Sequence, residues 1–129
     1  MSEPSKTAVI LVDHGSARVE ANELIEQLAE RLRRDRPGTP VYVSHMDMAE
    51  PTIADAFARA AADGATRIVV HPYFLGPGRH SRLDIPRMVK QAAAAHPTVR
   101  AVVTEPLGLD ELMTRLVWKR IDAAVGLQD

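Results

Sequence analysis

Short runs of aliphatic and β-branched residues alternate with segments of helical periodicity along this 129-residue chain, and this alternation restricts the possible folds most. The first run, Ala8 to Val12, is continuously apolar, as expected of a strand buried on both faces of a parallel sheet. Similar runs follow at 41–44, 68–70 and 99–103. Strands that alternate with helices form parallel sheets with right-handed crossovers. The pattern therefore predicts an α/β fold, a flavodoxin-like, doubly wound, four-stranded parallel sheet.

The segments between these runs place apolar residues three and four positions apart, the spacing of one helix face. Three helices are predicted, with apolar positions at Leu24, Ile25, Leu28 and Leu32; at Ile53, Phe57 and Ala61; and at Ile85, Met88, Val89 and Ala92. In a fourth helix, one face is predicted to carry Leu109, Leu112, Met113, Leu116 and Ile121. We expect this face to pack onto the sheet of its own chain, with a contact between subunits, including Trp118, as the alternative.

Length and composition limit the classes of protein that need to be considered. The length fits one domain, so we expect a flexible N-terminus at 1–6 and a single domain at 7–129. A formal net charge of −1 and few aromatic residues argue against nucleic acid as a partner. No apolar run reaches the roughly 20 residues that cross a bilayer, so we predict a cytoplasmic protein without membrane contact. The absence of cysteine leaves histidine and carboxylate as metal ligands.

Two histidines follow predicted strands at the edge of the sheet where ligands of such folds bind. His14 comes directly after the first strand and precedes Gly15, which permits close backbone approach. His80 lies in a long loop, rich in glycine and proline, after the third strand. If the strand order is 2-1-3-4, both histidines face one crevice. Neutral imidazole ligates divalent metals and accepts protons near pH 7, so both chemistries are predicted for this crevice.

Charged residues and further histidines lie near the same strand ends. Arg79 and Arg82 flank His80 and are either solvated side chains or a rim that binds carboxylates, since guanidinium pairs with carboxylate through two hydrogen bonds. Glu50 follows the second strand, where we favour a helix cap over a site carboxylate. His45 and His71 also end strands and are secondary candidates.

Three stretches of the chain resemble the small, single-domain sirohydrochlorin cobalt or iron chelatases of cobalamin and sirohaem biosynthesis. The first is His14-Gly15-Ser16 and the second runs from Met46 to Ile53. The third begins at Pro72-Tyr73-Phe74-Leu75 and continues through Gly78-Arg79-His80 to Asp84-Ile85-Pro86. The resemblance spans nearly the whole chain, which would correspond to a chelatase-like half-domain.

The resemblance implies a lyase that inserts a divalent metal into sirohydrochlorin or a related tetrapyrrole without ATP. It places the metal on His14 and His80, with Glu50 assisting proton removal and Arg79, Arg82 and Ser16 contacting the substrate. The metal would be Co²⁺ or Fe²⁺, with Ni²⁺ as a further candidate, and no cofactor beyond it is implied. Because one half-domain leaves a flat macrocycle exposed on one side, a homodimer is expected.

Two residues depart from the family pattern. Asp13 stands where the family has a small residue, and His45 replaces an apolar aromatic.

Two other functions are alternatives to metal insertion. A divergent protein that binds metal or tetrapyrrole without inserting metal is the first alternative. A histidine phosphatase is the second, but such enzymes have arginine before the histidine, and Asp13 would repel a phosphate.

Overall fold

The computed structural model describes residues 6–128, apart from the side chains of residues 80, 81, 127 and 128. The elements follow in the order β1 (Thr7–Asp13), α1 (Val19–Asp35), β2 (Val41–His45), α2 (Ile53–Ala62), β3 (Arg67–Pro72), a π-helical turn (His80–Asp84), α3 (Ile85–Ala94), β4 (Arg100–Val103) and α4 (Glu111–Gln128). The four strands and four main helices predicted from the sequence are all present. Residues 1–5 lie outside the described part, so the predicted flexible N-terminus stays a prediction.

The four strands form one parallel sheet in the order β2-β1-β3-β4, which confirms the predicted doubly wound arrangement. Helices α2 and α3 cover one face, and the core between them and the sheet includes Ile10, Phe57, Ile68 and Ile85. Helix α1 covers the other face, and the smaller core beneath it includes Leu11, Ile25 and Val43. Alternate residues of β1 enter the two cores, because successive side chains of a strand point to opposite faces.

The start of α2 corrects one expectation from the sequence. Thr52 is the N-cap: its hydroxyl accepts a hydrogen bond from the Asp55 N–H at 3.1 Å, and the Asp55 carboxylate accepts one from the Thr52 N–H at 3.0 Å. The prediction that Glu50 caps this helix is therefore wrong. Only the residue next to the first helical position can reach the unpaired N–H groups of the first turn.

Helix α4 departs from the sequence prediction in its packing. Within the described residues it makes no extensive contact with any other element, and six of its large apolar side chains are exposed. The expectation that it packs onto its own sheet is wrong. Leu112 and Ile121 are nine positions apart, so at about 100° per residue they lie on opposite sides of the helix rather than on one face. Among the helices of residues 6–128, none combines the length and apolar character needed to cross a bilayer.

Candidate functional site

The loops that carry the two predicted histidines leave neighbouring strands at the same edge of the sheet. β1 and β3 are paired, and the Tyr73 N–H extends this pairing by donating to the Val12 carbonyl at 2.7 Å. His14 directly follows β1, and its side chain is exposed. The backbone of His80 begins the π-helical turn after the β3 loop, whereas its side chain is outside the described part of the structure. The pairing of the two imidazoles thus remains a prediction.

The loop after β1 is held against the loop after β2 by backbone hydrogen bonds. The N–H groups of Met46 and Asp47 donate to the carbonyls of Asp13 and His14 at 2.9 and 3.0 Å. Gly15 follows with φ of +90°, and a Cβ built there would lie 1.9 Å from the Asp47 carbonyl oxygen. Only glycine fits this position, so the loop geometry beside His14 depends on it.

Ser16 and Asn22 complete the turn into α1. The Asn22 side-chain amide donates to the Ser16 carbonyl at 2.9 Å, and its oxygen accepts from the Ser16 N–H at 3.0 Å. The Ser16 hydroxyl accepts from the Arg18 N–H at 3.1 Å. Asn22 was not among the residues predicted from the sequence. The pattern that indicates its role is an amide side chain early in a helix that follows a Gly-Ser turn.

Asp13 and His45, the two departures from the family pattern, contact each other. They are directly opposed in the β1–β2 pairing, and Asp13 Oδ1 lies 2.5 Å from His45 Nδ1. His45 is 3% exposed and the Asp13 side chain 18% exposed. The carboxylate of Asp13 therefore provides a hydrogen-bond partner for the buried imidazole of His45, on the face of the sheet that α1 covers. The two departures from the family pattern form one polar pair.

His71 forms a second polar contact on the same face. Its Nδ1 lies 2.7 Å from the Thr104 hydroxyl, which itself donates to the Glu105 carbonyl at 2.9 Å. The tautomer of the ring decides whether His71 or the hydroxyl is the donor in this contact. Burial lowers the pKa of His71 below its usual 6.5, and a hydrogen bond to the Glu105 backbone opposes this in part. His71 is consequently neutral near pH 7.

The other predicted site residues come from loops at the same edge of the sheet. Glu50 is exposed in the β2–α2 loop, and Arg79 is exposed just before the π-helical turn. Arg82 is exposed within that turn, and its N–H donates to the Gly78 carbonyl at 2.9 Å. Arg82 also lines, together with Glu105, a cavity of about 330 Å³ beside β4. The loops that carry Glu50, Arg79 and Arg82 follow β2 and β3, the two strands that pair with β1.

The described side chains form no cluster of metal ligands. Among them, no three histidine, aspartate or glutamate residues lie close enough together to hold a metal ion. The predicted ligand pair includes His80, so it lies partly outside this set.

Comparisons with known proteins agree on one family. The family model described as CbiX matches residues 8–124. A chloroplastic sirohydrochlorin ferrochelatase of Arabidopsis thaliana is 40% identical over 114 residues, which cover 88% of this chain and 50% of that protein. A sirohydrochlorin cobaltochelatase of Methanopyrus kandleri is 31% identical, with 92% of this chain and 97% of that protein covered.

A solved structure supports the same relationship. SirB from Bacillus subtilis with Fe³⁺ superposes with a TM-score of 0.86 at 29% sequence identity, covering 92% of this chain and 47% of that chain. The chain thus spans about half the length of the plant and Bacillus proteins and nearly all of the archaeal one.

Proposed function

This chain belongs to the CbiX family, and from that premise we propose that it inserts Co²⁺ or Fe²⁺ into sirohydrochlorin or a related tetrapyrrole without ATP. The observation that carries the proposal is the position of His14, exposed at the end of β1 and beside the β3 loop that holds His80. Names of relatives agree, since they include a cobaltochelatase and a ferrochelatase.

In this proposal the side chains of the site bind the metal and remove protons. The imidazoles of His14 and His80 hold the incoming ion, whose charge favours loss of the N–H protons of two pyrrole nitrogens. One imidazole accepts a proton as the metal enters, and Glu50 passes protons to water. The products are the metallated macrocycle and two released protons, so no change in oxidation state is required. Arg79 and Arg82 bind peripheral carboxylates of the macrocycle, and Ser16 also contacts the substrate.

The assembly and the location belong to the same proposal. We place two copies in a homodimer, because a flat macrocycle on one half-domain keeps one side exposed to water. The archaeal cobaltochelatase that this chain covers at 97% of its length has the same half-size. A cysteine-free sequence needs no oxidising compartment, so we assign the reaction to the cytoplasm. The metal that an imidazole site binds depends on which metals are available and on the geometry of the site, so Ni²⁺ is also to be tested.

The test follows the visible spectrum of sirohydrochlorin with Co²⁺, Fe²⁺ and Ni²⁺ in the presence of the purified chain. We expect His14→Ala and His80→Ala each to slow insertion by about 100-fold or more, since both binding and proton transfer are lost. His96→Gln is the control, because His96 lies just beyond the end of α3 and packs against Phe57. Full rates in both alanine variants would contradict the proposal. Stoichiometric macrocycle binding without faster insertion would replace it by a binding function.

A further inference from the structure

The loop after β2 begins and ends at one residue, His45. His45 is the last residue of β2, and its N–H donates to the Pro51 carbonyl at 2.9 Å. It also forms a parallel β-bridge with Thr52. Residues 46–50 therefore form a short loop whose two ends are both joined to His45. Glu50, which passes protons to water in the proposed function, is the last residue of this loop.

The side chain of His45 joins this loop to the end of β1. The imidazole is 3% exposed, and its Nδ1 lies 2.5 Å from Asp13 Oδ1. A carboxylate accepts hydrogen bonds and does not donate them, so the imidazole is the donor in this pair. Asp13 directly precedes His14, the proposed metal ligand. One hydrogen bond between side chains thus connects the strand end that carries His14 to the loop that carries Glu50.

Backbone hydrogen bonds hold the two ends of the loop in different ways. The N–H groups of its first two residues donate to the carbonyls of Asp13 and His14 at 2.9 and 3.0 Å, which holds the start of the loop. The bond from His45 to the Pro51 carbonyl holds its end. The position of His45 therefore determines where Glu50 lies relative to His14.

The position of His45 in turn depends on Asp13. A buried polar side chain is stable in one place only while its polar atoms have partners. Without the Asp13 carboxylate, the imidazole gains free energy by moving toward water, and the end of the loop moves with it. Proton transfer requires the two groups within about 2.6–3.2 Å of each other, or joined by one water. A displacement of about 1 Å can therefore lower a rate by about 100-fold.

We propose that the hydrogen bond between Asp13 and His45 positions Glu50 relative to His14, and that this placement sets the rate at which protons are removed during metal insertion. Asp13 and His45 are positioning residues, since they act through Glu50. This role rests on the proposed metal insertion and adds two residues to it. Binding of the metal alone depends on His14 and His80, so it does not require the pair.

The first experiment measures kcat and KM for insertion of Co²⁺ into sirohydrochlorin. We expect Asp13→Ala to lower kcat by about tenfold or more, with KM for the macrocycle within about twofold of the wild type. Asp13→Asn keeps an acceptor oxygen in the same place, so its kcat should stay within about threefold of the wild type. Wild-type kcat in the alanine variant, or equal losses in both variants, would overturn the positioning role.

Two controls accompany this comparison. Tyr42→Phe removes another side-chain hydrogen bond of β2, the one that the Tyr42 hydroxyl donates to Asp63 at 2.6 Å, and should leave kcat and KM unchanged. Circular dichroism shows whether each variant is folded. If Asp13→Ala does not fold, Asp13→Val takes its place with the same expectation, because a β-branched side chain favours a strand.

The second experiment separates positioning of Glu50 from a general loosening of the site. Glu50→Gln alone should lower kcat, and adding Asp13→Ala to it should lower kcat by no more than about a further twofold, because the pair acts through Glu50. A structural defect would instead add its full factor. Calorimetry with Co²⁺ and no macrocycle should give the same affinity for Asp13→Ala as for the wild type, and a much weaker one for His14→Ala.

The outcomes of this experiment distinguish the positioning role from the proposed activity. Full additivity of the two substitutions, wild-type kcat in Glu50→Gln, or a Co²⁺ affinity that falls as far as kcat in Asp13→Ala would overturn the positioning role alone. A wild type that does not accelerate insertion would overturn the proposed function, and the positioning role with it.

Discussion

Gly15 is the residue whose replacement the structure restricts most. Its φ of +90° and the Asp47 carbonyl oxygen, 1.9 Å from a Cβ built there, both exclude a side chain. Gly15→Ala must separate the loops after β1 and β2, so we expect a loss of about 2–3 kcal/mol in the free energy of unfolding. Metal insertion should fall as well, because His14 is displaced. Urea denaturation and the insertion assay measure the two effects.

The control for this prediction is Gly38→Ala. A Cβ at Gly38 would meet no atom within 4 Å. We expect a change below about 0.5 kcal/mol there, as for ordinary surface substitutions. Equal stability of the Gly15 and Gly38 variants would show that the loops after β1 and β2 are not in contact beside Gly15.

His71 gives a prediction about pH. Burial lowers the pKa of His71 in the folded protein below 6.5, so the unfolded chain takes up the proton first as pH falls. The stability that neutral His71 contributes is complete above 6.5 and is lost as pH falls through the lowered pKa. Wild-type unfolding free energy should therefore fall more between pH 7.5 and 5.5 than that of His71→Gln, whose side chain does not titrate. Parallel curves for the two proteins in urea denaturation would contradict this.

The individual contacts of the site were less predictable than its location. His14 could be placed from the sequence because it directly follows a buried run, and parallel strands bring such positions to one edge. Asp13 and His45 are 32 positions apart, and they meet only through the register of β1 and β2. No local pattern encodes that register. For the same reason the partner of His71, Thr104, could not be foreseen.

At the level of elements, sequence periodicity predicted the strands and helices that pack against the core. It did not predict the packing of α4, which does not pack against the core. Strands β1 to β4 and helices α1 to α3 each bury one side or both, which is the source of their patterns. The Thr-x-x-Asp signal at Thr52 marks the α2 capping box, and it indicates the helix start more specifically than the lone carboxylate of Glu50. Helix α4 has apolar residues on several sides. Its pattern therefore predicted a helix but did not predict which surface the helix packs against.

At the level of the whole molecule, the fold divides into a packed domain and a helix that adds little to it. The two cores beneath α1 and beneath α2 and α3 lie entirely within residues 8–103. The backbone bonds of Leu107 and Gly108 close the last loop before α4 begins. The stability of the domain therefore depends on residues 8–103, and the contribution of α4 can be measured separately.

Removing α4 is the direct test of this division. A chain that stops at Asp110 keeps both cores, so we expect its sheet, its cooperative urea transition and, measured on the monomer, an unfolding free energy within about 1 kcal/mol of the full chain. A chain that stops at Thr98 loses β4, with Ala101 and Val103, and should not unfold cooperatively. Far-UV circular dichroism and urea denaturation at low concentration compare the two. If the chain ending at Asp110 is also unfolded, α4 stabilises its own domain and this division of the molecule is wrong.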